Sequence, residues 1–230
     1  MASWMIHLRV ADRLLEQLPA LLRREIAEKE FIVGNIAPDS GIPVDDWNTF
    51  IPSGEESHFK NRLDNGSLAV NERSISDYVA KHFTPGQQQG YSKEAYSFYL
   101  GYLTHLLTDM EWLQKVYRVC AGKHPEAYAA DKKAFIAAVK KDWYDLDFLY
   151  LKNHPDFRAF CIYEDAVGFE NHYMDIFAKD AFDNRRAYIT GWYRGGKDNL
   201  ERHYPYFTEE EAAQFIENAS ETILKRLPSF

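Results

Sequence analysis

The stretch GYLTHLLTDMEW, Gly101 to Trp112, decides how this chain is read. It is among the most apolar and helix-patterned segments of the sequence, yet it carries two ionisable groups. His105 and Asp109 stand four residues apart, so on a helix they share one face. Gly101 lies on that same face, one turn earlier. Glycine inside a helix costs about 1 kcal/mol relative to alanine. That cost is accepted where another backbone or a ligand must come close. Taken alone, the pair reads first as a buried His–Asp hydrogen bond that ties the helix down. The question is whether other residues turn two bland groups into a site.

Outward from this stretch, helical periodicity dominates. Leu8, Ala11, Leu14, Leu15 and Leu18 form one stripe, with Pro19 as a break. ALLRREIAEKEFIVGN continues helically to Gly34. From Ile36 to Asn71 the texture becomes Pro, Gly, Asp, Asn and Ser, a loop long enough to suggest function. SISDYVAKHF predicts a short helix capped by Ser74 or Ser76, and TPGQQQGYS a connector. Ser92 predicts the cap of a helix over 93–120, and another runs over 125–153. The segment 156–182 reads as helix broken near Gly168, and the next helix turns out at Gly195 and Gly196. Thr208 followed by Glu209, Glu210 and Glu211 marks the last helix start. No convincing alternating strand and no internal repeat is found. The expectation is one all-α domain over residues 1–230, a multi-helix bundle.

Composition narrows the function. A net charge of −8 argues against a duplex nucleic-acid binder, which relies on releasing counterions from phosphates. It leaves open a metal enzyme acting on phosphates, because a bound cation resets the local charge. The two cysteines, Cys120 and Cys161, lie in apolar segments and predict buried free thiols. With no cysteine-based zinc motif, a metal site must use His and carboxylate. The first residues carry Arg9, Asp12 and Arg13 and lack a secretory pattern, and no run approaches the roughly 20 apolar residues of a membrane span. A cytoplasmic protein without membrane insertion is expected. Oligomeric state is not legible.

Three further features acquire meaning when read in order with the opening stretch. His7 opens the first helix, GNIAPDSG places Asp39 in a turn, ESHF places His58 in the long loop, and GYLTHLLTD follows. In that order these motifs resemble the zinc-dependent phospholipase C family, whose distant relatives include fungal single-strand nucleases. The likeness covers about residues 4–112. It implies the phospholipase C/nuclease type of all-α fold. It also implies that Asp39, His58, His105 and Asp109 hold one zinc, and that His7 binds a second metal with Asp109 bridging. The family's third metal needs a histidine soon after the bridge and a later H-x-x-x-E. Here MEWLQKVY has no histidine, and ENHYMD offers only His172 with Glu170 and Asp175. One or two ions are therefore expected, with His172 as an extra candidate ligand. In the family's secreted members a terminal tryptophan adds its amine and carbonyl to the second site, whereas Trp4 here is not terminal.

The chemistry suits the residue types. Zinc takes His nitrogen and carboxylate oxygen, and manganese or iron would accept the same set. A metal-activated hydroxide would attack a phosphodiester or phosphomonoester, with Asp39 and Asp109 at the reacting centre. Glu55 beside His58 is a candidate acid/base group, although solvated loop glutamates are commoner. Trp47 and Phe50 sit between Asp39 and His58 and could stack on a base or box a quaternary ammonium group; pinning the loop to the core explains them as well. His82 at a helix end suits the dipole as a cation, and His124, His154 and His203 read as surface residues. The small phosphoester substrate is not identified further, and phospholipid is not implied. The alternative function is a non-catalytic helical module that kept the scaffold and perhaps a structural metal. A phosphohydrolase built on an adjacent His-Asp pair is argued against, because the chain has no such dipeptide.

Overall fold

Helix α1, Trp4–Gln17, starts where the Ser3 hydroxyl accepts the Ile6 N–H. In the computed structural model, which describes residues 1–44 and 49–228, its predicted stripe is buried and His7 is buried with it. After Pro19 the chain does not run on as one helix. It forms α2, Ala20–Arg24, and then α3, Glu28–Ile36. The break buries Ile26 and turns the Ala27 N–H to the Ser97 hydroxyl. A 3₁₀ turn, Ala37–Asp39, closes α3 and delivers Asp39.

The long loop region is better ordered than its composition suggests. Strands β1 (Ile42–Val44) and β2 (Thr49–Ile51) pair antiparallel, with Pro43 opposite Phe50. One-turn helix α4, Gly54–Ser57, leads to His58. Strands β3 (Asn61–Arg62) and β4 (Leu68–Ala69) make a second small ribbon. These strands were not expected: two or three residues are too few to show an alternating pattern. Helix α5, Glu72–His82, is capped by Asn71, with Ser74 completing a capping box rather than acting as the cap. The connector after it holds a short helix, α6, Pro85–Gly90, because Pro85 suits a first helical position.

Helix α7, Lys93–Trp112, runs through the centre of the core, capped by Ser92 as expected. It passes into a π-helical segment, Leu113–Tyr117, and then α8, Arg118–Lys123. Leu100, Leu103, Leu106 and Leu107 are all buried. At roughly 1.5–3 kcal/mol per buried side chain, these four outweigh the cost of Gly101. That glycine and Gly34 explain how α7 meets α3. A Cβ on Gly101 would collide with the Phe31 carbonyl and stand 2.9 Å from the Asn35 nitrogen. One on Gly34 would collide with the Phe98 carbonyl. The space that Gly101 clears is for the α3 backbone.

Beyond α7 come α9 (Pro125–Ala130), α10 (Lys132–Asn153), α11 (Arg158–Asp165), α12 (Ala181–Arg194) and α13 (Glu209–Leu224). The predicted 156–182 helix ends early, at Asp165, and Gly168 turns the chain with a φ of +73°. Trp112 anchors this half, its ring set edge-on to Trp143, Phe207 and Phe215. The fold is all-α, with two small ribbons the only sheets among the described residues. No helix among the described residues is long and apolar enough to cross a membrane. Cys120 is buried and free as expected; Cys161 is free but only partly buried.

Candidate metal centre

Four elements bring the site together. His7 comes from α1, Asp39 from the 3₁₀ turn, His58 from the end of α4, and His105 and Asp109 from α7. The ribbon-and-turn segment is held down by Tyr102, whose hydroxyl donates to the Ser57 carbonyl. Phe59, next after His58, takes a left-handed φ of 51° and packs edge-on against Tyr78. That unfavourable backbone turn is maintained by the packing around it.

The distances define one cluster. His58 Nε2 lies 3.2 Å from Asp39 Oδ1 and 3.2 Å from His105 Nε2. The His7 and His105 rings stack at 3.7 Å, nearly parallel at 4°. Asp109 faces both sides: Oδ1 is 3.5 Å from His7 Nε2, and Oδ2 is 3.9 Å from both His58 and His105. The Ala2 backbone N–H also donates to Asp109 Oδ1, at 2.8 Å. Two donor sets fall within ion-binding reach, His7–Asp39–His105 and His58–His105–Asp109. They share His105.

The protonation state follows from the neighbours. His105 Nδ1 lies 2.8 Å from the Asn35 carbonyl, which can only accept, so Nδ1 carries the hydrogen. Nε2 then presents its lone pair to the cluster, the arrangement that fits a metal-ligating imidazole. Burial, followed by the nearby His7, pulls the His105 pKa down to about 3, so the ring is neutral at pH 7. Burial alone would raise Asp39, but the His58 hydrogen bond and the surrounding histidines outweigh it and hold the carboxyl below its usual range. Asp109 behaves alike: burial is outweighed by the amino-terminal charge, His7 and His105. Both carboxylates are therefore ionised.

Several donor atoms have no hydrogen bond. Neither ring nitrogen of buried His7 has one, nor does Asp109 Oδ2. A buried polar atom left unpaired costs about 1–3 kcal/mol. Neutral imidazole nitrogens and ionised carboxylates with their lone pairs turned to a common point are what zinc requires. The donor set fits the ion.

A cavity of about 590 Å³ opens over the cluster, with Asp39 and His58 in its wall. Phe50 lines it, as the loop position implied, while Trp47 lies outside the described residues. Glu55 is exposed and does not line the cavity, because α4 turns that side chain outward. His172 is also exposed, its Nε2 3.4 Å from Glu170, and joins neither donor set. His82 is buried against Tyr78 and Tyr99, and burial followed by Lys81 lowers its pKa to about 4. It is neutral, which corrects the reading of a cation at the helix end.

Sequence reasoning missed the far wall, made by Tyr144 and by Arg185, Tyr188 and Trp192 of α12. The signal was present: 185, 188 and 192 are spaced three and four apart, one helix face.

The family profile described as zinc dependent phospholipase C matches residues 6–134. No curated protein and no solved structure matches the chain. The matched span takes in His7, Asp39, His58, His105 and Asp109, and more than half of the sequence. The chain belongs to the zinc-dependent phospholipase C family.

Proposed function

We propose, with that membership as premise, that the chain is a metal-dependent hydrolase of phosphoesters. Asp39, His58, His105 and Asp109 would hold one zinc ion, and His7 would hold a second, with Asp109 shared. When bound, zinc supplies an activated water at neutral pH and a counter-charge for the phosphoryl oxygens. The protein's own part is placement. The Asn35 carbonyl keeps His105 Nε2 turned inward. Helix α7 holds His105 and Asp109 on one rigid face, and Gly101 lets α3 support it from behind. The cavity wall shelters the reacting group on one side and leaves the other open to substrate.

The observation that carries this reading is His7. A fully buried imidazole with neither nitrogen hydrogen-bonded, its Nε2 3.5 Å from the Asp109 carboxylate and its ring stacked on a second imidazole, is costly unless a cation completes it. The test is hydrolysis of bis-(p-nitrophenyl) phosphate and p-nitrophenyl phosphate by zinc-loaded protein. Turnover of either ester is expected, lost together with metal in His105→Ala. A protein that binds zinc but turns over neither is a non-catalytic module that kept the scaffold.

A further inference from the structure

Arg185 is treated differently from other arginines of the chain. Arg158, Arg194 and Arg202 each reach a carboxylate at 2.6 Å. Arg185 is 7% exposed, and no carboxylate among the described residues pairs with it. Its Nη2 donates to the Gly41 carbonyl at 2.5 Å. Its guanidinium carbon lies 5.6 Å from the Tyr188 ring centre, 5.8 Å from Phe50 and 6.0 Å from Trp4. A guanidinium stays charged and offers five N–H donors. One carbonyl and three ring faces meet only part of that demand. The side chain lines the cavity over the metal cluster.

The rest of the wall has the same sign. Lys60 and Lys140 also line the cavity and form no ion pair among the described residues; Lys60 Nζ has only the Met1 sulfur at 3.5 Å. Among the described residues the one carboxylate in that wall is Asp39, already part of the metal cluster. Three cations thus face one carboxylate among the described residues of the wall, on a chain whose net charge is −8. Such a concentration of charge in a concave site attracts anions. The rings of Trp4, Phe50 and Tyr188, which might have boxed a ligand cation, already surround the protein's own.

We propose that Arg185, flanked by Lys60 and Lys140, holds a second anionic group of the substrate, so that the site takes phosphoesters bearing a further negative charge beside the scissile phosphoryl group. This rests on the phosphoester reading above. A bidentate guanidinium suits a carboxylate, sulfonate or phosphate equally. A substrate with a cationic headgroup would meet repulsion and a filled aromatic box.

Three p-nitrophenyl alkyl phosphates with one common leaving group test it: the 3-sulfopropyl, butyl and 3-(trimethylammonio)propyl esters. In each, water adds to phosphorus and p-nitrophenolate departs. With zinc-loaded protein, kcat/KM should fall in that order, the sulfopropyl ester leading the butyl ester by about tenfold or more. Arg185→Gln should bring that ratio close to one, and Arg185→Lys, which keeps the charge without the fork, should retain part of it. Zinc content measured in each variant confirms that the metal cluster stays folded. Equal kcat/KM for the three esters, a preference for the trimethylammonio ester, or a preference that survives Arg185→Gln overturns the proposal. Hydrolysis of none of them by protein with zinc bound overturns the phosphoester reading, and this proposal with it.

Discussion

Among the described residues, two pairs of buried or largely buried carboxylates are answered differently. Asp142 and Asp145 on α10 meet cations of the protein itself. Arg202 reaches both at 2.8 and 2.6 Å, while Lys141 and Lys197 close on Asp145 at 2.6 and 2.5 Å. Asp39 and Asp109 meet histidines, and Lys and Arg form no ion pair with either among the described residues. In the first cluster the fold completes its own charges, so the cluster ties α10 to the chain after α12. In the second no Lys or Arg among the described residues does so, and the donor atoms could hold a metal ion. A carboxylate met by the chain's own Lys and Arg is structural; one met by imidazoles with nitrogens left without a hydrogen bond is a candidate place for a metal.

Substitutions can break this contrast. The largest effect should come from His105→Ala, which removes the donor shared by both ligand sets. Retained zinc should fall below one ion per chain by elemental analysis, and phosphodiester turnover should drop at least about a hundredfold. Hydrolysis that persists without the metal would break the contrast outright. Next is Gly101→Ala, which strikes the α3–α7 contact beneath the cluster. Forcing a Cβ into the Phe31 carbonyl should cost about 3 kcal/mol of unfolding free energy in urea melts. An unchanged midpoint would show that the two helices separate easily.

Asp145→Asn and Asp109→Asn form the sharpest pair. Asp145→Asn removes the charge on which Lys141 and Lys197 close and leaves Arg202 with Asp142 as its remaining carboxylate, and should cost about 2–3 kcal/mol with or without zinc. Asp109→Asn should instead abolish the rise in Tm that zinc produces, which corresponds to a stabilisation of about 4 kcal/mol when zinc is a thousandfold above Kd. Equal sensitivity of both variants to zinc would remove the distinction between the clusters.

The smallest effect concerns pH at His82. Its pKa is lowered in the fold to about 4 from an ordinary 6.5. The unfolded chain therefore takes up the proton first as pH falls. Stability from the neutral ring is complete above about pH 6.5 and is lost progressively down to about pH 4, a change of about 2 kcal/mol once partial solvent screening of the ring is allowed for. His82→Phe, which keeps the stacking on Tyr99 and Tyr78, should flatten that part of the melting curve against pH relative to the parent. Parallel curves for the two proteins would show that His82 is not the titrating group.

Local pattern made some of this readable in advance. Helix α7 and the shared face of His105 and Asp109 follow from spacing alone. His7, Asp39 and His58 are separated by long stretches, and only the ordered resemblance joined them to that face. The cap at Asn71 and the two ribbons escaped because the competing signals, Ser74 and a Pro/Gly-rich loop, are local and ambiguous. Glu55 lay beside His58 in sequence, but the one-turn helix sends neighbouring side chains in different directions. The face that Arg185 shares with Tyr188 and Trp192 is legible in their spacing, but its place over the cluster is not, because it depends on Gly41, 144 residues away. Packing of α12 against the loop sets that contact, and no short-range periodicity encodes it.

The central claim is that the His/Asp cluster completes itself with an external cation. Calorimetric titration of metal-stripped protein with zinc, checked by elemental analysis of the protein as purified, tests it most directly. One or two ions per chain, with uptake sharply reduced in His105→Ala and Asp109→Asn but kept in Asp145→Asn, is the predicted result. A folded protein that retains no transition metal and takes up no zinc, or one whose uptake is unchanged in both cluster variants, would contradict it.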